Sequence, residues 1–274
     1  MNTQSRTVEV SGCRAQITDV GSGKPVLMLH GGGPGATGLS NFARNVSDLS
    51  RDHRVIVVDL PGFGGTDPWP GEGGLFRCMG LFVEALLDHL ELDCASIIGN
   101  SMGGGIGIDM AIRVPERIDR LVLMGPAGGL TVSTPMPTEG LLRMVTFYGG
   151  DGPSEAKLRT ILESLVHDPA QLSEVTFAER YADATKPDRA KNYAPLKYHI
   201  EELWREKLTD IQAPTLLLWG REDRVIPLDA AYTYLRLMPR AELHVFPNCG
   251  HWVQWERAVE FNALVRHFLN LGEG

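Results

Sequence analysis

Gly99-Asn100-Ser101-Met102-Gly103 sets a hydroxyl between two glycines. It directly follows the apolar run Ala95 to Ile98 and precedes a stretch, Met102 to Ala111, with helical spacing. A serine at such a strand-to-helix corner is held in a strained backbone conformation, and the flanking glycines remove side chains that would collide with the neighbouring strand and helix. The chemistry this offers is nucleophilic attack. Met102 opens the helix, so its N–H lacks an intrahelical partner and is aimed at negative charge developing beside the serine. A glycine-rich turn that merely carries a serine competes with this reading, and the choice rests on the serine's partners.

A serine needs a base at neutral pH, and an imidazole needs an acid that fixes its tautomer and stabilises its cation. At a corner of this kind the chain order is serine, acid, histidine. Asp223 follows the buried run Thr215 to Gly220, and His251 follows the run Ala241 to Phe246. Of the eight histidines, His251 combines a loop after a strand with the required order, whereas His53, His89, His244 and His267 fall on elements or distant loops. Glu222 and Asp229 compete as the acid; position in the loop favours Asp223. Pro25 to His30 forms another buried strand that breaks into Gly31-Gly32-Gly33-Pro34-Gly35, where bare backbone can approach a ligand closely. Gly32 N–H is the expected partner of Met102 N–H in an oxyanion hole. No Gly-Lys-Ser/Thr follows, so the loop is not a phosphate loop.

The elements that must position these residues follow from periodicity. Thr7 to Val10 and Arg14 to Val20 alternate about Gly12 as a hairpin. Arg54 to Asp59, Cys94 to Gly99 and Arg117 to Met124 read as buried strands, with a helix over Phe76 to Leu90. Alternating strands and helices predict a mostly parallel, doubly wound α/β sheet. Pro61 to Gly65 reads as a structural turn. From Pro126 to Leu208 no strand is expected. Helical stretches at Leu141 to Phe147, Glu155 to Leu165, Leu172 to Ala184 and Arg189 to Trp204 predict a helical cap, or lid, inserted over the carboxyl edge of the sheet. The expected division is a core in two parts, 1–126 and 209–274, with a cap at 127–208. Helices around Asp229 to Met238 and from Val253 to Leu269 complete the core.

Composition narrows the setting. Of the 274 residues, 43% are hydrophobic and 22% charged, ordinary for a globular protein, and the net charge of −8 gives no field for nucleic acid or an anionic membrane. An anionic ligand must therefore be held by a local cation. Cys13, Cys78, Cys94 and Cys249 form no zinc-like grouping, so no metal is expected and reduced thiols in the cytoplasm are the simplest reading; Cys249 reads as a packed thiol. Met1 to Arg6 precedes a strand rather than a signal core, and no apolar run spans a bilayer.

These residues resemble the α/β-hydrolases along essentially the whole chain. More narrowly, His30 to Ala36, Ser40-Asn41, Gly99 to Gly104 and Gly250-His251-Trp252 look like the meta-cleavage product hydrolases, carbon–carbon bond hydrolases of bacterial aromatic degradation. Ser101 stands where related epoxide hydrolases and haloalkane dehalogenases place aspartate. The resemblance implies an α/β-hydrolase fold, no cofactor, and a small anionic substrate of the 2-hydroxy-6-oxohexa-2,4-dienoate type. Cleavage at C5–C6 would give 2-hydroxypenta-2,4-dienoate and a carboxylic acid. It also implies a homodimer or larger homo-oligomer.

By residue, the resemblance assigns Ser101, Asp223 and His251 to catalysis and Gly32 and Met102 to the oxyanion hole. Arg180, followed by Tyr181, holds the C1 carboxylate, with Asn41, Asn100, Gly31, Gly33 and Trp252 lining the dienoate end. Taken alone, Arg180 beside Glu179 reads as a solvated helix face, and Trp252 as core. Leu165, Phe147 and Trp204 are candidates for the pocket that takes the C6 substituent, though apolar helical stripes are usually core. The alternatives are a serine carboxylesterase, which has no need of Arg180 or Asn41, and a non-catalytic ligand-binding protein on the same fold.

Overall fold

The computed structural model describes residues 5–71 and 73–271. The expectation for Met1 to Gln4 therefore lies outside the described residues, as do the ends of the two expected core parts at 1–4 and 272–274. Eight strands form one sheet: β1 (Arg6–Val10), β2 (Cys13–Val20), β3 (Pro25–Leu29), β4 (Arg54–Val58), β5 (Ala95–Asn100), β6 (Ile118–Met124), β7 (Thr215–Gly220) and β8 (Ala241–Phe246). Their order is β1-β2-β4-β3-β5-β6-β7-β8. The hairpin β1–β2 joins β4 antiparallel; every other neighbour pair, from β4 through β8, is parallel.

Alternation along the strands builds two apolar layers. Leu27, Leu29, Ile97 and Leu121 face one cluster with Phe76 and Phe82 of α2 (Leu75–His89) and Ile106 of α3 (Met102–Arg113). Val26, Met28, Ile98 and Val122 face the other, with Phe42 of α1 (Gly38–Leu49) and Phe261 of α11 (Ala258–Leu269). Strands covered on both faces read as continuous apolar runs, which is why β3, β4 and β5 stand out in the sequence, whereas the edge strand β8 alternates half-buried and exposed residues up to the buried Phe246.

Between β6 and β7 lie α4 (Glu139–Thr146), α5 (Glu155–Leu165), α6 (Glu174–Ala184), α7 (Arg189–Asn192) and α8 (Ala194–Lys197). Ser154 and Ser173 cap α5 and α6, each accepting a backbone N–H three residues on. Leu172 accordingly falls before α6. The expected helix from Arg189 to Trp204 is not continuous. Tyr193 is extended, and Pro195 has no N–H to offer the carbonyl four residues back. A 3₁₀ turn at Leu203–Arg205 follows separately. The terminal helix is likewise broken: Arg257, at φ −117° and ψ 40°, separates α10 (Val253–Glu256) from α11. The helix α9 (Asp229–Leu237) runs from the expected start.

The insert is bolted to the core at the Pro61 to Gly65 turn. Arg189 donates to Gly62 O at 2.6 Å and Gly64 O at 2.5 Å while pairing with Asp183 at 3.0 Å. That turn was expected to be punctuation only. In the fold it is also a docking point for α6 and α7.

Candidate active site

Ser101 joins β5 to α3 at φ 54° and ψ −113°, a left-handed-side conformation that a serine adopts only under constraint. The flanking glycines are dictated by contact. A Cβ on Gly99 would lie 2.4 Å from Gly103 O, and one on Gly103 would lie 2.1 Å from Leu29 O. Ser101 N–H donates to Met124 O at 2.8 Å, tying the corner to the neighbouring strand. Met102 is the first residue of α3, among the positions that have no acceptor within the helix.

The ends of β5, β7 and β8 deliver Ser101, Asp223 and His251 to one edge of the sheet. His251 Nδ1 lies 2.7 Å from Asp223 Oδ2, with both side chains almost fully buried. Asp223 Oδ1 accepts Val225 N–H at 2.8 Å and Ile226 N–H at 3.0 Å, so the carboxylate is aimed by its own loop. With Nδ1–H donated to Asp223, His251 presents the Nε2 lone pair, and that buried atom has no hydrogen-bond partner. The rival acids are committed elsewhere: Glu222 accepts Cys249 N–H and pairs with Arg221, and Asp229 accepts Val132, Ser133 and Thr134 N–H. Glu256, unnoticed in the sequence, holds the histidine loop to the insert. One oxygen accepts Gly250 N–H at 2.6 Å and the other His167 N–H at 2.7 Å.

Leu29 pairs with Gly99, so the glycine loop after β3 runs beside the serine corner. His30 sets that loop. Leu60 N–H donates to its Nε2 at 2.9 Å, which leaves the proton on Nδ1, and Nδ1–H donates to Gly31 O at 2.8 Å. The carbonyl of Gly31 and the N–H of Gly32 belong to one planar peptide, so His30 orients that N–H. Burial drives the His30 imidazole down to about 4, with Arg180 adding to the effect and the bond to Gly31 and Asp183 opposing it. The ring is therefore neutral at pH 7. Tyr193 OH donates to Gly32 O at 2.5 Å and fixes the next peptide. His30 was legible in the sequence only as the end of a strand, because the glycines after it carried the signal.

Two cavities meet at Ser101. A small one is lined by Asn41, Asn100, Ser101, Arg180, His251 and Trp252, together with Gly31 and Gly33. The other, larger one is walled by Phe76, Leu141, Met144, Val145, Pro195 and Ile200. Gly32, Ser101 and Met144 line both, and Met102 lines the second. The sequence expectation for the apolar side is corrected here. Leu165 lines the small polar cavity, and neither Phe147 nor Trp204 lines either one. Phe147 is fully buried against Tyr148, at 4.8 Å between ring centroids, and Trp204 sits under Arg205. The residues found instead, Leu141, Met144 and Val145, form an i, i+3, i+4 stripe on α4, the same signal that core helices give.

Arg180 is not on a solvated face. It is 2% exposed, with its guanidinium 5.1 Å from the Trp252 ring and against Gly33, where an added Cβ would lie 3.0 Å from Nη2. The guanidinium's only hydrogen bond among the described residues is a long one, 3.5 Å from Nη1 to Ser40 Oγ, and its Nε has no partner. Burial lowers its pKa to about 10, against the raising influence of Tyr193, Asp183 and Tyr148, so the cation persists at neutral pH. Asn41 reaches the cavity because Thr37 and Ser40 form a capping box that starts α1; its Nδ2 donates to Thr37 O, leaving Oδ1 buried and open. Asn100 Nδ2 donates to Met124 O and His251 O, again leaving Oδ1 open. Trp252, 2% exposed, is at once packed in the core and part of the cavity wall. Taken together, the site holds an imidazole-acid pair beside a serine, with a cation on one side and an apolar cleft on the other.

A family model described as the alpha/beta hydrolase fold matches residues 24–258. The chain is 38% identical over 271 residues to a 2-hydroxy-6-oxo-6-phenylhexa-2,4-dienoate hydrolase of Burkholderia cepacia, covering 96% of this chain and 93% of that one. It is also 38% identical over 263 residues to a 2-hydroxy-6-oxononadienedioate/2-hydroxy-6-oxononatrienedioate hydrolase of Cupriavidus pinatubonensis, covering 93% and 90%. Among solved structures it superposes on a meta-cleavage product hydrolase from Pseudomonas fluorescens with a TM-score of 0.86 at 33% identity, over 97% of each chain.

Proposed function

The chain belongs to the alpha/beta hydrolase fold family and, within it, to the meta-cleavage product hydrolases, and from that membership we propose how its residues carry out the chemistry. The enzyme hydrolyses the C5–C6 bond of a 2-hydroxy-6-oxohexa-2,4-dienoate-type ring-cleavage product, giving 2-hydroxypenta-2,4-dienoate and a carboxylic acid. Ser101, His251 and Asp223 act as the catalytic triad. His251 moves the proton that leaves the C2 enol to C5, which makes C2 a ketone and C5 the site of bond breaking. Nucleophilic oxygen delivered at Ser101 adds to the C6 ketone, and the resulting oxyanion is held by Gly32 N–H and Met102 N–H. As C5–C6 breaks, its electron pair passes into the conjugated C2 carbonyl to form the dienol product. One water is consumed, and C6 departs in the acid.

The observation that carries this reading is Arg180. A buried guanidinium with unfilled donors beside the catalytic serine is costly unless an anion completes it. A planar, charge-assisted bond to the C1 carboxylate contributes on the order of 1.5–3 kcal/mol. Asn41, Asn100, Gly31, Gly33 and Trp252 enclose the same end. In this reading 127–208 form a cap over a core made of 1–126 and 209–274. A cytoplasmic homodimer or larger homo-oligomer belongs to the same proposal, supported on the first point by four free thiols. The test is the decay of visible absorbance when a yellow dienoate is mixed with the protein. Bleaching with release of the acid, abolished in Ser101→Ala, supports the proposal. Hydrolysis of p-nitrophenyl esters with no bleaching would replace it with the esterase reading.

A further inference from the structure

Relatives at the same 38% identity carry names with a phenyl group at C6 in one case and a second carboxylate in the other, so overall similarity does not choose between them. The lining of the larger cavity does. We infer that this enzyme takes dienoates whose C6 substituent is uncharged and apolar, an aryl or alkyl group, and discriminates against a substituent that ends in a carboxylate. The inference rests on the dienoate reading above, with Arg180 at the C1 end.

None of the described residues lining the larger, apolar cleft is Arg, Lys or His. Two side chains there carry a hydroxyl, and both are committed: Ser101 is the catalytic residue, and Tyr193 OH is spent on Gly32 O. Cations close in sequence to the cleft walls are turned elsewhere: Arg77, next to Phe76, is exposed on the outer side of α2. Arg143, on α4, donates to Thr160 O and pairs with Glu139, and Lys197, on α8, lies over the Tyr198 ring. A carboxylate placed there would lose water and gain neither charge nor donor, whereas a phenyl or alkyl group meets Leu141, Met144, Pro195 and Ile200. Val145 and Ile200 are 38% and 44% exposed, so they form the cleft's mouth. Among the described residues the single lining cation of the two cavities, Arg180, lies on the other side of Ser101, so a second carboxylate would also compete with the first for it.

The test compares kcat/KM of the purified protein for 6-phenyl and 6-methyl dienoates with that for the dienedioate bearing a 2-carboxyethyl group at C6. The apolar substrates are expected to lead by at least about thirtyfold, within the range that apolar pockets achieve against a misfit. Val145→Lys, a substitution at the half-exposed mouth on a helix that lysine suits, should narrow the gap by about tenfold by giving the second carboxylate a partner. Equal turnover of all three substrates would overturn this inference while leaving the carbon–carbon hydrolase reading intact. A gap unchanged by Val145→Lys would also overturn it, by placing the substituent outside the cleft. No consumption of any dienoate would defeat the underlying reading and the inference with it.

Discussion

On one side of Ser101, Arg180 Nε, Asn41 Oδ1, Asn100 Oδ1 and His251 Nε2 are buried polar atoms without hydrogen-bond partners; among the described residues, the walls of the cleft on the other side contain no such atom. Native interiors rarely leave polar atoms unpaired, so a cluster of four in one small cavity marks a place that a polar ligand completes. The cleft opposite is satisfied and apolar, and it can select only by fit and by the cost of dehydrating what enters. One side therefore binds through what it lacks and the other through what it excludes.

The largest effects should come from the residues at the junction. Ser101→Ala should lower the rate of cleavage by at least about a thousandfold while leaving tautomerisation the faster step; His251→Ala should impair both. Stopped-flow traces at the dienol and keto wavelengths separate the two steps, and undiminished cleavage in either variant would break the scheme. Next in size is Arg180→Gln, which empties the polar side of its charge without removing its bulk. It should reduce kcat/KM for a dienoate by about 10- to 100-fold and leave hydrolysis of a neutral p-nitrophenyl ester within a few-fold of the wild type. An equal loss on both substrates would mean that Arg180 is structural.

His30 sharpens the comparison from behind the glycine loop. His30→Asn should lower kcat about tenfold with little change in KM, because it loosens a peptide that meets charge only in the transition state. The same residue sets a pH limit on the fold. Its imidazole titrates near 4 when folded, against an ordinary 6.5, so between those values the unfolded chain binds a proton that the native state does not. Stability is thus complete above about pH 6.5 and falls as pH drops toward 4, by about 3 kcal/mol in all. Urea midpoints measured at pH 7 and pH 4.5 should differ less in His30→Asn than in the wild type; identical pH dependence would remove His30 as the cause.

Much of this architecture was readable because it is local. The strands β3 to β7 are apolar runs closed by glycine or polar loops, and the serine corner needs its glycines for contacts within a few residues. Asp223 was separated from Glu222 and Asp229 by loop position alone. The fold supplies the reason, since Val225 and Ile226 N–H aim one oxygen and His251 takes the other. Arg180 was legible only through resemblance, because a helix carrying Glu179-Arg180 looks solvated until α6 is laid against Gly33 and Gly35. The apolar cleft was misread. Leu141, Met144 and Val145 have the spacing of any packed helix, and no local signal tells a stripe that lines a cavity from one that fills a core. Tyr193 and Pro195 lay hidden in a stretch that read as one helix.

The most direct test of this two-sided account is a crystal structure of Ser101→Ala with a 6-phenyl dienoate bound. The account predicts the C1 carboxylate against Arg180, with Asn41 and Asn100 alongside, and the phenyl ring among Leu141, Met144 and Ile200. A carboxylate directed into the apolar cleft, or a phenyl ring packed against Arg180, would contradict it.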